Sequence, residues 1–113
     1  MTLVQLADLD TFEHALRSHG RLMLFKHSPI CPVSSEARKG WLKFLDEHPD
    51  VPCFEVDVVG QRPVSRALAE LVGVAHQSPQ ALLVEDGRGS WHASHWDITA
   101  ASLRVAWAGV APA

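Results

Sequence analysis

The apolar positions of this chain change period several times along its length, and each change marks a new element. Leu9, Phe12, Ala15 and Leu16 recur at helical spacing, with Asp8 or Asp10 as N-cap and Gly20 as stop. Leu22-Met23-Leu24-Phe25 is an unbroken apolar run, the pattern of a strand buried on both faces. Ser28-Pro29-Ile30-Cys31-Pro32 interrupts it. From Pro32 to about His48, Val33, Ala37, Trp41, Phe44 and Leu45 fall on one side of a second helix that Pro49 and Pro52 bring to an end. Cys53 to Val59 alternates as a strand closed by Gly60. Pro63 suits the start of a third helix whose apolar face is Ala67, Leu68, Leu71 and Val72, with Gly73 as its stop. Ala81 to Val84 reads as a strand, Asp86-Gly87-Arg88-Gly89 as a hairpin turn and Ser90 to Trp96 as the return strand. Asp97 or Thr99 caps a last helix carrying Leu103, Val105, Ala106 and Trp107, and Val4 to Leu6 can add an edge strand.

Strands that alternate with helices pair in parallel through right-handed crossovers, and the terminal hairpin adds an antiparallel pair. The expected architecture is α/β, a central mixed sheet of four to five strands flanked by helices. That succession is the thioredoxin-like arrangement. With 113 residues the chain reads as a single domain over 1–113.

Composition narrows the function classes. A net charge of −3, with no basic stripe, argues against nucleic-acid binding and leaves proteins or small molecules as partners. No basic segment followed by an apolar run opens the sequence, and no apolar stretch approaches the roughly 20 residues that span a bilayer, so a cytoplasmic location without membrane attachment is expected. Thiols stay reduced there, so Cys31 and Cys53 are expected to be reactive or simply buried rather than bridged.

Cys31 carries the chemistry. It follows a buried strand and precedes a helix that begins at Pro32, which puts its sulfur at a helix N-terminus. Free N–H groups and the helix dipole favour an anion there, and the thiolate is the nucleophile. Lys26 and His27 can add positive potential. Ser34 stands where a C-x-x-C enzyme has its second cysteine; one helical turn on, its hydroxyl can reach the sulfur and donate to it but cannot form a disulfide. An adduct on Cys31 then has to be resolved by an external thiol, by Cys53 or by a second protein. The plainer reading is an inert loop cysteine. Cys53 opens an apolar strand at the opposite end of the sheet and reads as a small buried hydrophobe.

Ligands of open α/β sheets bind beyond the carboxyl ends of the parallel strands. Arg62, with Gln61 and Arg66, follows the second such strand, where it either meets carboxylates of a small thiol or is a solvated helix start. Ser78-Pro79 precedes the third strand; a cis bond there would turn the Ser78 backbone toward the sulfur to pair with an extended substrate. His92 and His95 fall on opposite faces of a strand by alternation, and His76 does not complete a ligand set with them, so no metal site is expected.

His27-Ser28, Cys31-Pro32-Val33-Ser34, Arg62-Pro63-Val64-Ser65, His76-Gln77-Ser78-Pro79-Gln80 and Trp91-x-x-Ser94-His95, in that order, resemble the monothiol bacilliredoxin-like proteins of YtxJ type. The resemblance spans nearly the whole chain. It implies a thioredoxin-like oxidoreductase that removes bacillithiol, a glucosamine–malate–cysteine thiol, from mixed disulfides on client proteins. Cys31 would be the catalytic nucleophile assisted by Ser34, with His27, Pro32, Gln61, Arg62, Ser78 and Pro79 around the substrate. Pro79 would be the cis proline, and bacillithiol the co-substrate in place of any bound cofactor. One departure is Pro29, where a threonine or similar polar residue is expected; it stiffens the loop and removes a donor. The other readings are a monothiol glutaredoxin-like carrier that uses Cys31 to hold an iron–sulfur cluster, and a noncatalytic thioredoxin-like adaptor. Cysteine phosphatase chemistry is disfavoured, because six residues separate Cys31 from Arg38 rather than the five of a phosphate loop.

Overall fold

A computed structural model describes residues 3–109; the ends of the single unit read from the sequence, residues 1–2 and 110–113, lie outside the described residues. The strands are β1 (Leu3–Gln5), β2 (Arg21–His27), β3 (Cys53–Asp57), β4 (Gln80–Glu85) and β5 (Arg88–Ser94). The helices are α1 (Leu9–Ser18), α2 (Pro32–Glu47), α3 (Arg62–Val72) and α4 (Ala100–Ala108), with a short 3-10 turn over His95–Asp97. One sheet in the order β1-β3-β2-β4-β5 holds all five strands. β1, β3 and β2 run parallel, while β4 is antiparallel to β2 and to β5.

Local chemistry explains most boundaries. Asp8 caps α1 by accepting from the Thr11 N–H at 2.7 Å. Thr99 and Ser102 form a reciprocal capping box at the start of α4. Gly73 ends α3 in the left-handed region at φ 74°. Gly20 does not play that part: α1 ends at Ser18 and His19, in extended conformation, is its C-cap. The hairpin turn is tighter than the sequence predicts. Asp86 and Gly87 both take positive φ, 52° and 82°, as a two-residue primed turn needs, so Arg88 and Gly89 already belong to β5. The register shifts between Leu83 and Val84, opposite Ser90. The return strand stops at Ser94, so His95 does not alternate with His92; it sits in the 3-10 turn with φ 53°.

Period-two alternation along the central strand divides the core. Met23 and Phe25 face α2 and α4, where they pack with Trp41, Phe44, Cys53 and Leu103. Leu22 and Leu24 face α1 and α3, with Phe12, Phe54, Val56 and Leu68. Each face is a closed apolar layer, and β2 is buried from Leu22 to Lys26. Across the first face, α2 ties to β3 through Arg38, whose Nε and Nη2 each donate to buried Glu55 at 3.0 Å. No described helix is long and apolar enough to cross a membrane.

α2 meets the start of α4 at Gly40. A Cβ there would stand 3.0 Å from the Ala100 nitrogen and 3.2 Å from the Thr99 Cα, both backbone atoms that cannot swing aside. Gly→Ala in a helix interior ordinarily gains about 1 kcal/mol, whereas overpacking costs about 1–3 kcal/mol. The second effect wins at this contact. Gly40→Ala is expected to lower the thermal midpoint, measured by circular dichroism; an unchanged or raised midpoint contradicts the close approach.

Candidate active site

β2 delivers the chain to the site. Beyond His27, Ser28-Pro29-Ile30-Cys31 forms a turn closed by the Cys31 N–H donating to the Ser28 carbonyl at 3.1 Å. Pro29 takes the second position of that turn, where its fixed φ is favoured, so the departure at this position has a clear structural use. Cys31 is the N-cap of α2 and Pro32 opens the helix. No side chain caps α2, so first-turn N–H groups face the place where the sulfur and an incoming anion would sit. Cys31 is half-buried, and its neighbour Ile30 is 81% exposed.

Ser34 has a different task from the one its spacing suggests. It is fully buried; its Oγ accepts the Ser28 N–H at 2.9 Å and lies 2.7 Å from His27 Nδ1. An N–H can only donate, so the Ser34 hydroxyl hydrogen is left for His27 Nδ1, which fits an unprotonated Nδ1. Burial, aided by Arg38 and opposed by Glu55 and Asp57, holds His27 below the ordinary histidine range. The hydroxyl is therefore spent on pinning the turn rather than donating to sulfur, and the positive potential expected of His27 is absent near neutral pH.

Cys53 is sealed. Its relative exposure is 1%, and burial pushes its thiol up to about 12. β2 and β3 pair in parallel with Met23 beside Cys53 and His27 beside Asp57. Four residues of strand, about 13 Å, thus separate Cys53 from the end of β2 alone, and a disulfide requires Cα atoms within about 7 Å. Ser78-Pro79 is cis, as expected. Lys26 pairs with Gln80 across β2 and β4, so continuing that register sets Pro79 level with His27 and Ser78 level with Ser28, beside the thiol turn. The Pro79 carbonyl accepts from the His95 N–H at 3.1 Å, which explains why the return strand breaks there.

On the other face a cleft of about 290 Å³ opens between the end of β3 and α3, lined by Ser28, Val59, Arg62, Ser65, Arg66 and His76 among others. Arg62 and Arg66, expected beyond the carboxyl end of the second parallel strand, line this cleft, and Cys31 is not among its lining residues. Gln61 is the N-cap of α3 and does not line the cleft. Two contributors escape sequence reading, His76 and Ser65, while Lys26, expected to add positive potential at the thiol, faces this side of the sheet instead. Lys26 is wholly buried, with Nζ 3.2 Å from His76 Nδ1. Its signal was there to read, a lysine directly continuing the unbroken apolar run Leu22-Met23-Leu24-Phe25 of a buried strand. Ser65 likewise sits on the buried side of α3 with Leu68 and Val72.

The comparisons agree with this geometry. A solved thioredoxin-fold protein, provisionally described as an oxidoreductase, is 32% identical over 93% of each chain, with a TM-score of 0.85. Mitochondrial thioredoxin 3 from Saccharomyces cerevisiae, in its oxidized form, superposes with a TM-score of 0.76 at 15% identity, covering 96% of this chain and 95% of that one. Thioredoxin from Trypanosoma brucei brucei gives 0.75 at 12% identity, over 95% and 90%. At these low identities the two thioredoxins speak to the fold alone. Fold and site thus define a thioredoxin-fold thiol oxidoreductase. Residues 4–103 match the family described as Monothiol bacilliredoxin BrxC, and the chain belongs to that family.

Burial lowers Lys26 to about 8, from 10.5. Between those values the unfolded chain holds a proton there that the folded chain lacks, so stability rises with pH across that window and is fully depressed below it. Lys26→Met is expected to stabilise the protein at pH 7 by on the order of 1–3 kcal/mol, an advantage that fades as the pH approaches 10. Urea unfolding at several pH values checks this. A destabilised variant at pH 7, or a pH-independent difference, would contradict it.

Proposed function

We propose that this protein removes bacillithiol from cysteines of client proteins by a single-thiol route, in the cytoplasm, with no bound cofactor and bacillithiol itself as co-substrate. The observation that carries the reading is the disposition of sulfur. One half-exposed thiol caps an otherwise uncapped helix, the residue one turn on is a serine committed elsewhere, and the second cysteine is buried in the core. Membership of the monothiol bacilliredoxin family supports the same chemistry.

The Cys31 thiolate attacks the bacillithiol sulfur of the mixed disulfide. A Cys31–bacillithiol disulfide forms as the old S–S bond breaks, and the client leaves as a thiolate that takes up a proton. The thiolate of a second bacillithiol then attacks the adduct, forming bacillithiol disulfide and returning the Cys31 thiolate. Electrons balance: the client cysteine is reduced, and two bacillithiols end as one disulfide. N–H groups at the mouth of α2 favour the anionic sulfur in both steps. Pinning by Ser34 fixes where that sulfur sits, and the Ser78-Pro79 segment lies where it can align a client backbone. Pro32 contributes its preset φ and leaves the helix start free of an extra donor. Exposed Ile30 gives the client an apolar contact beside the reacting bond.

The test follows release of a client thiol from a protein carrying bacillithiol on one cysteine. The wild type is expected to free the client in step with an adduct of matching mass on Cys31, and Cys31→Ser to fall to background. The glutathione-modified client is expected to react at least about tenfold more slowly, a preference of about 1.4 kcal/mol. Retained activity in Cys31→Ser defeats the single-thiol route; equal rates with glutathione defeat the assignment of bacillithiol.

A further inference from the structure

The cleft beside Ser28 concentrates donors and cations with no acid among its described lining residues. Arg62 and Arg66 stand one turn apart on α3, whose first turn no side chain caps. Behind His76 lies the wholly buried Lys26, and none of the carboxylates pairs with its Nζ among the described residues; its hydrogen-bond partner is His76 Nδ1. An ammonium only donates, so His76 accepts at Nδ1 and keeps its Nε2–H as a donor. Ser65 is 1% exposed, lines the same cleft, and its Oγ has no hydrogen-bond partner.

Two features here are costly. The buried ammonium has a neutral ring nitrogen for its partner and no carboxylate, and the buried Ser65 hydroxyl has no partner, so both give up solvation for little return. Burial, followed by the neighbouring charges of Lys26, Arg66 and Arg62, also holds His76 below its ordinary range, so the cations act on one another across the cleft. A ligand with paired acceptor oxygens answers all of these at once. Two guanidiniums one turn apart suit carboxylates, which they grip through two parallel N–H···O bonds.

We propose that this cleft is a carboxylate-binding subsite that seats the acidic part of the small thiol while its sulfur exchanges at Cys31. The proposal rests on the single-thiol reading above and adds what tells one small thiol from another. Ser28 links the two places: its side of the chain lines the cleft, and its carbonyl accepts the Cys31 N–H at 3.1 Å. Carboxylate bound there therefore sits next to the turn that presents the thiol. Lys26 and Ser65 are positioning residues that shape the field and the floor, whereas Arg62 and Arg66 make the direct contacts.

The experiment measures the rate of adduct formation on Cys31 with bacillithiol disulfide and with the same disulfide lacking its malyl carboxylates. The wild type is expected to prefer the malyl form by about tenfold or more, the worth of one charge-assisted contact. In the Arg62→Gln/Arg66→Gln double variant that ratio is expected to fall toward one. Lys26→Met, expected to fold at least as firmly as the parent, is expected to lower it as well. A wild type that treats the two disulfides alike, or a double variant that keeps the preference, overturns the subsite and leaves the single-thiol reading standing. A double variant impaired only toward client-borne disulfides shows that the carboxylates belong to the client, and also overturns it. Failure of the wild type to form any adduct on Cys31 with either disulfide removes the reading beneath the proposal.

Discussion

Everything at the site follows from the two-sidedness of β2. A strand sends successive side chains to opposite faces, so its last two residues serve different faces of one sheet. His27 faces α2 and meets Ser34. Lys26 faces α3 and meets His76. The strand lies between β3 and β4, with closed apolar layers above and below, so neither side chain can be re-aimed without disturbing the core. The same rigid element therefore fixes the thiol turn on one side and the cationic cleft on the other.

Ser34 shows how a position can keep its place while changing its work. A second thiol there would supply an internal leaving route for any adduct on Cys31. The serine closes that route and uses its hydroxyl to hold the Ser28 amide and the His27 ring. On the proposed single-thiol route, regeneration comes from outside, and a small thiol is a substrate in its own right. A protein that works this way gains from a means of choosing its thiol, the role proposed for the cations around His76. Burying Lys26 is expected to cost stability, as is common where function sets a residue.

Much of this was legible in the sequence, and the misses share a cause. Element order, the helix begun by Pro32 and the separation of the two cysteines followed from local patterns such as apolar period, proline placement and strand direction, whereas the cis Ser78-Pro79 bond was expected only from the thioredoxin-like context and the family resemblance. What failed depended on partners remote in sequence or on a choice among partners. Ser34 lies one turn from Cys31 by spacing, yet the Ser28 N–H and His27 bond its hydroxyl instead. His95 escaped alternation because its N–H bonds to Pro79, sixteen residues away, and the chain turns there. Lys26 and His76 are separated by 50 positions and meet only because β4 enters the sheet antiparallel to β2. Gln61, expected at the site from its place after the second parallel strand, is the N-cap of α3 and does not line the cleft.

The central claim is that a single sulfur is available for exchange and has no partner within the chain. Treating the native protein with excess of a small disulfide and mapping both cysteines by mass spectrometry tests it most directly. One adduct is expected, on Cys31, persisting until an external thiol is added, while Cys53 is modified only after unfolding. An internal bond between Cys31 and Cys53, or an adduct on Cys53 in the folded state, would contradict the account.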